Sequence, residues 1–187
     1  MYYKTLSKTV FLTFVLPLFL LVFSASSCVT TGADSYSTNG DVVTGSPTIS
    51  SQFIENILTT NGSPAKGTGY ALYSYGVQYG IDPAFALAFF LHESSYGKYG
   101  VASSSLSLGN LRCISNARCV NSFAYFDSWQ AGYAAWYQLI SGPYYVGSGL
   151  TTVGQITQKY APSADGNNPY SYAQAVESTV QSWRAVH

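Results

Sequence analysis

Of the eight acidic residues in the sequence, one stands apart from the rest. Asp34 and Asp41 fall in a stretch of Thr, Gly, Ser, Asp and Asn, and Asp82 precedes a proline at a helix start. Glu55 and Glu177 fall on the polar faces of amphipathic patterns, where solvation is expected of them, and Asp165 sits in a Gly-Asn-Asn turn. Glu93 instead ends the most apolar helical run of the chain, residues 83–93, and is followed by Ser94-Ser95-Tyr96-Gly97. A carboxyl at the C-terminal end of a helix meets the negative end of the helix dipole. Apolar neighbours further disfavour its ionised form. Both effects raise its pKa, and an acid that keeps its proton near neutral pH can give it to a departing oxygen, as glycosidic bond cleavage requires. The same residue could equally close the helix by accepting N–H bonds from the following loop. The residue by itself leaves both readings open.

Other reactive side chains are few. His92 neighbours Glu93 but lies roughly 100° around the helix from it, which marks it as structural. Asp127 is the next carboxylate to weigh as a base, although Asp127-Ser128-Trp129 before a helical pattern reads equally well as an N-cap region. Cys113 and Cys119 have no His or further Cys close by and make a poor zinc site. In an oxidising setting they are expected to form a short-loop disulfide. No metal and no cofactor is expected.

Helices must hold these groups in place. Residues 51–58 put Phe53, Ile54, Ile57 and Leu58 on one face, and a turn follows at Asn61-Gly62-Ser63-Pro64. A second helix is predicted over 70–79, ended by Gly80. Asp82-Pro83, an N-cap acid with proline at the first helical position, is the strongest start signal in the chain. The helix it opens is apolar nearly all round, which places it at the centre of its domain. Later helices are predicted over 129–140, 152–160 and 170–183, the last with Tyr172, Val176, Val180 and Trp183 at helical spacing. Residues 122–126 suit a short hairpin strand. The expected fold class is mainly α, with at most a short β-hairpin.

Composition narrows the partners. With 187 residues the chain suits one domain once its terminal segments are set aside. Formal charge is zero and 9% of residues are charged, so no field is available to capture nucleic acid or an anionic membrane. The 17 tyrosines, 10 phenylalanines and 3 tryptophans suit a sugar polymer or an ordinary aromatic core, and composition does not separate the two. Lys4 and Lys8 precede an apolar run over 10–23 and then Ser24-Ala25-Ser26-Ser27-Cys28. Those are the features of a secretory signal over 1–27, and the run is too short for a membrane span. Residues 28–48 are expected to form a flexible tether, the alternative of an N-terminal strand having little beyond Val42-Val43 to support it. The folded domain is expected from Ile49 to the end, outside the cytoplasm or in the cell envelope, as a monomer.

Residues 20–28 resemble the lipobox of bacterial lipoproteins, with Ala25 where that family usually has Leu. Ala25 and Ser27 also suit ordinary signal peptidase, but Cys28 has no evident partner, which favours a lipid anchor on it.

The run 80–97, ending His92-Glu93-Ser94-Ser95-Tyr96-Gly97, resembles the catalytic-helix segment of the lysozyme-like superfamily. Ser107-Leu108-Gly109-Asn110-Leu111 is similar to the Asn-Leu element that follows that helix in family 73 glycoside hydrolases. Residues 123–132 are similar to their strand-to-helix segment, and residues 160–172 to their late tyrosine-rich element. Together these motifs span essentially the whole domain. The chain therefore resembles the mannosyl-glycoprotein endo-β-N-acetylglucosaminidase-like group. The resemblance implies Glu93 as proton donor, Tyr160 near the scissile bond, and Asn110 shaping a glycan cleft. Ser94, Ser95 and Tyr96 would line that cleft, with helix capping as the alternative for Ser94. Asp127 would contribute to substrate binding.

The chain departs from the family at Tyr96, where Trp is frequent, and at Arg112, where Phe is usual; both bear on subsite preference rather than on the acid. The implied activity is hydrolysis of the β-1,4 bond after N-acetylglucosamine in peptidoglycan. The rival expectations are lytic transglycosylase cleavage, an inactive module that binds wall glycan, and a surface protein whose helical domain contacts partners.

Overall fold

A computed structural model describes residues 41–186, which form seven α-helices and one two-stranded antiparallel hairpin. The expected signal segment, Cys28 and the tether as far as residue 40 lie outside the described residues. The helices are α1 (Ser51–Thr60), α2 (Gly69–Tyr79), α3 (Pro83–Ser94), the short α4 (Ala102–Ser105), α5 (Trp129–Ser141), α6 (Val153–Tyr160) and α7 (Pro169–Arg184). The hairpin pairs β1 (Arg118–Val120) with β2 (Phe123–Tyr125) between α4 and α5. The mainly helical architecture follows from local chemistry that the chain states openly.

Each start signal is used. Ser50 Oγ accepts from Phe53 N–H, Ser128 Oγ from Ala131 N–H and Asn168 Oδ1 from Ser171 N–H. Thr152 and Gln155 close a capping box on α6, satisfying backbone donors that would otherwise be orphaned. Gly80 ends α2 in the left-handed conformation at φ 67°.

Helix α3 runs through the middle. Every residue from Pro83 to Phe90 is buried, and the helix packs against α2 and α7. Phe85, Phe89 and Phe90 are at most 1% exposed, each worth about 2 kcal/mol of burial as an upper figure. Its entry is held from both sides of the sequence. Asp82 caps Ala84 N–H and also accepts from Thr48 N–H and Thr48 Oγ1–H, while Arg184 Nη2 donates to its Oδ2 at 3.1 Å. Arg184 reaches Asp41 as well, at 3.7 Å.

That arrangement corrects the tether expected over 28–48. Residues 41–48 belong to the folded unit: Val43 is 1% exposed, its N–H donates to Thr151 C=O, and its C=O accepts from Asp82 N–H. One apolar side chain and a few backbone bonds, in a stretch otherwise polar, are enough to anchor it. Glu55 also departs from expectation. Its carboxylate accepts N–H bonds from Gly67 (2.7 Å) and Gly69 (2.9 Å), and so caps the start of α2 instead of lying solvated.

Cys113 and Cys119 form a disulfide across a loop, with Cα atoms 5.2 Å apart. The loop feeds the hairpin, whose turn residues Asn121 and Ser122 both have positive φ (48° and 69°), the geometry that matches strand twist in tight hairpins. Arg112 bridges to Phe123 on the other edge of β2, so the strand is flanked on both sides.

Candidate active site

Glu93 occupies the last turn of α3, where the chain turns sharply away. Ser95, Tyr96 and Gly97 are all left-handed, at φ 47°, 60° and 88°. Three such residues in a row are costly for non-glycine positions, and surrounding bonds must hold them. Buried Ser94 does so: its Oγ donates to Leu108 C=O at 2.8 Å and accepts Gly97 N–H at 2.8 Å. Ser63 Oγ donates to Tyr96 C=O at 2.7 Å. At Gly97 a side chain would press on Leu108 at 2.8 Å in addition to the backbone strain.

Expectations for this loop are corrected accordingly. Ser94 and Tyr96, expected in the cleft wall, are 2% and 3% exposed, and they shape the turn from inside. Ser95 is part-exposed and serves as the C-terminal cap residue of α3.

The Glu93 carboxyl faces a phenol that the sequence did not mark. Tyr172, near the start of α7, donates its hydroxyl to Glu93 Oε1 at 2.5 Å. Tyr160, expected beside the scissile bond, lies close enough to Glu93 to feel its charge, but its hydroxyl is engaged elsewhere. Its hydroxyl donates to Gly109 C=O at 2.8 Å and accepts from Trp136 Nε1 at 3.2 Å, so it supports the wall of the site. Gly109 is required there, since a Cβ would lie 2.6 Å from the Trp136 ring. Phe89 ties the group together, its ring centroid 5.3 to 5.6 Å from those of Tyr160, Tyr172 and Trp136. Nothing in the spacing of two tyrosines twelve residues apart distinguished the one that points to Glu93. Tyr172 lay on the apolar stripe of α7 and read as packing.

Asn110, expected to shape a glycan cleft, lies against the end of α3. Its Nδ2 donates to the Glu93 backbone C=O at 2.9 Å, and its own backbone is left-handed at φ 46°. Asp127 is not brought to it: the side chain is exposed, one residue before the cap of α5, with no hydrogen bond or ion pair to any described residue. His92 is exposed, yet its ring lies against Tyr172 with centroids 3.9 Å apart. It braces the phenol that meets the acid.

The electrostatics follow from this shell. Burial raises the Glu93 carboxyl above the ordinary carboxylate range. The hydrogen bond from Tyr172, the amide of Asn110 and the positive charge of Arg112 pull it part of the way back. The Tyr172 phenol is driven well above its usual range, first by burial and then by the Glu93 charge, so it stays protonated and acts as donor. Burial also lowers the His92 imidazole, which favours its neutral form.

The Tyr172 bond stabilises the ionised carboxylate, so removing it should move the Glu93 titration to higher pH. Tyr172→Phe tests this by carbon NMR of the Glu93 carboxyl. A midpoint that stays put or falls would show that the contact does not act on the acid.

Chemically, the site presents one protonatable carboxyl beside a cluster of aromatic side chains, with no second carboxyl in contact with it among the described residues. No group of three or more metal-ligating side chains is present among those residues either. No family model matches the chain, and no curated protein matches it.

Proposed function

We propose that the protein is a peptidoglycan hydrolase that cleaves the β-1,4 bond after N-acetylglucosamine, with Glu93 as general acid. The observation that carries this reading is the part-buried Glu93 carboxyl, raised in pKa and hydrogen-bonded to Tyr172 at the end of the central helix. Such a group keeps its proton to higher pH than an ordinary carboxyl and can place it on the leaving glycosidic oxygen. The resemblance of residues 80–97, 107–111, 123–132 and 160–172 to family 73 glucosaminidases supports the same substrate class, a wall glycan. The signal-like segment over 1–27 and the lipobox-like Cys28 support an activity outside the cytoplasm. The domain acts as a monomer in this reading.

A second reading has its own observation. An inverting hydrolase places a second carboxyl across the bond, with room for a water between the two, and no carboxylate of the described residues is among the groups that shift Glu93. A single acid suits a lytic transglycosylase, in which a hydroxyl of the substrate itself attacks. Digestion of purified sacculi followed by mass spectrometry separates the two. New reducing N-acetylglucosamine ends are expected from the hydrolase, whereas anhydro-muramyl ends would replace it with the transglycosylase. Failure to solubilise walls of several chemotypes would sink both and leave a glycan-binding module.

A further inference from the structure

The hairpin beside the site carries a face that catalysis by Glu93 does not use. Residues directly opposite each other in a ladder project to the same side, as do residues two apart along a strand. Arg112 pairs with Phe123, and Arg118 pairs with Tyr125. Phe123 and Tyr125 are two apart on β2, so all four side chains share one face. Ala124, between them, points the other way and is fully buried in the core.

The contacts agree with the register. The Arg112 guanidinium lies 4.7 Å from the Phe123 ring centroid, and that of Arg118 lies 4.9 Å from the Tyr125 centroid. Both arginines are exposed, and neither has a carboxylate within ion-pair distance among the described residues, whereas Arg184 is paired twice. In a domain this poor in charge, two cations on opposite sides of β2, offset along it by two residues (about 7 Å) and each resting on a ring, form a marked local feature. Unpaired guanidinium groups backed by aromatic rings are weakly hydrated and keep their planar donor forks free. A fork of that kind matches a carboxylate with two parallel bonds.

The face is also continuous with the site. Arg112 follows Asn110 by two residues, Asn110 bonds the Glu93 backbone, and the Arg112 charge is felt at the Glu93 carboxyl. On the far edge, Tyr125 reaches Ser104 of α4 at 3.4 Å. A polymer whose scissile bond lies at Glu93 would thus pass over a surface of two rings and two cations.

We infer that the Arg112–Phe123–Tyr125–Arg118 face is a subsite for carboxylate groups carried by the glycan, selecting an acidic wall polymer over a neutral polymer of N-acetylhexosamine. The inference rests on the glycan reading of the Glu93 site and names the charge of its substrate. The rings stack on sugar faces while the arginines hold the carboxylates of lactyl and peptide substituents.

Binding separates this from the catalytic reading. The full chain carrying Glu93→Gln is titrated with three probes: peptidoglycan stripped of all phosphate, the same material with its carboxyls amidated, and neutral chitin oligosaccharide. Arg118→Gln is the clean variant, because Arg118 does not act on Glu93. It should weaken binding to the stripped peptidoglycan about fivefold and leave chitin binding unchanged. Amidation should reproduce that loss without any substitution.

Equal binding by Arg118→Gln, or an equal loss on chitin, overturns the subsite. So does binding that disappears once phosphate is removed, which would assign the face to a phosphate polymer. If the parent protein solubilises stripped walls while the arginine variant binds like its parent, the subsite fails and the enzyme stands. If arginine-dependent binding appears but nothing is cleaved, the subsite stands and the enzyme fails.

Discussion

Glu93→Gln is expected to reduce wall solubilisation by about a thousandfold or more, the scale of a lost general acid, while leaving the protein folded. Glutamine keeps the shape and the carbonyl oxygen that accepts the Tyr172 hydroxyl, so the local packing should survive. What disappears is the proton that must reach the leaving oxygen. Burial already disfavours the ionised carboxylate, so neutral glutamine should not lower stability. Turbidity loss of suspended walls measures the rate, and circular dichroism checks the fold. Activity within tenfold of the parent would mean that another group supplies the proton.

The largest effect on stability is expected at the opposite end of the same helix. Asp82→Ala removes the cap of α3 and leaves Arg184, Thr48 N–H and Thr48 Oγ1 without their shared acceptor. A lost cap alone costs about 1 kcal/mol, and a broken buried ion pair costs about 3 to 5 kcal/mol. Arg184 is 31% exposed and regains some hydration, so the total should be roughly 3 kcal/mol. Against a typical margin of about 5 to 15 kcal/mol, that is a large fraction. Urea denaturation measures it directly. A loss below about 1 kcal/mol would show that the clasp adds nothing beyond the cap.

The contrast between these two positions shows what the sequence made legible. Asp82-Pro83 and Gly80 act within a few residues, so their roles are written locally and the longer helices fell where the patterns put them. Glu93 was legible for the same reason: its place at the end of an apolar helix is a local fact. Its partner was not, because Tyr172 meets it across 79 residues of chain and two tyrosines on neighbouring helices were equally eligible. Val42-Val43 gives too little support for a strand for a related reason. A single valine in a polar stretch carries no periodicity, and only the groove it fills makes it an anchor. Arg112 and Arg118 looked like scattered charges until the register of the hairpin put them on one face.

The clasp at Asp82 also fixes where the domain is joined to anything else. Asp41 and Arg184, the outermost side chains of the clasp, meet at the start of α3, while Glu93 sits at its other end. Eleven residues of helix put about 17 Å between the two. Entry and exit of the domain are therefore neighbours, gathered on the side away from the acid. The domain is in effect a plug-in cartridge: it can be spliced into a longer chain, or cut and rejoined at that seam, with Glu93 held at the far end of α3.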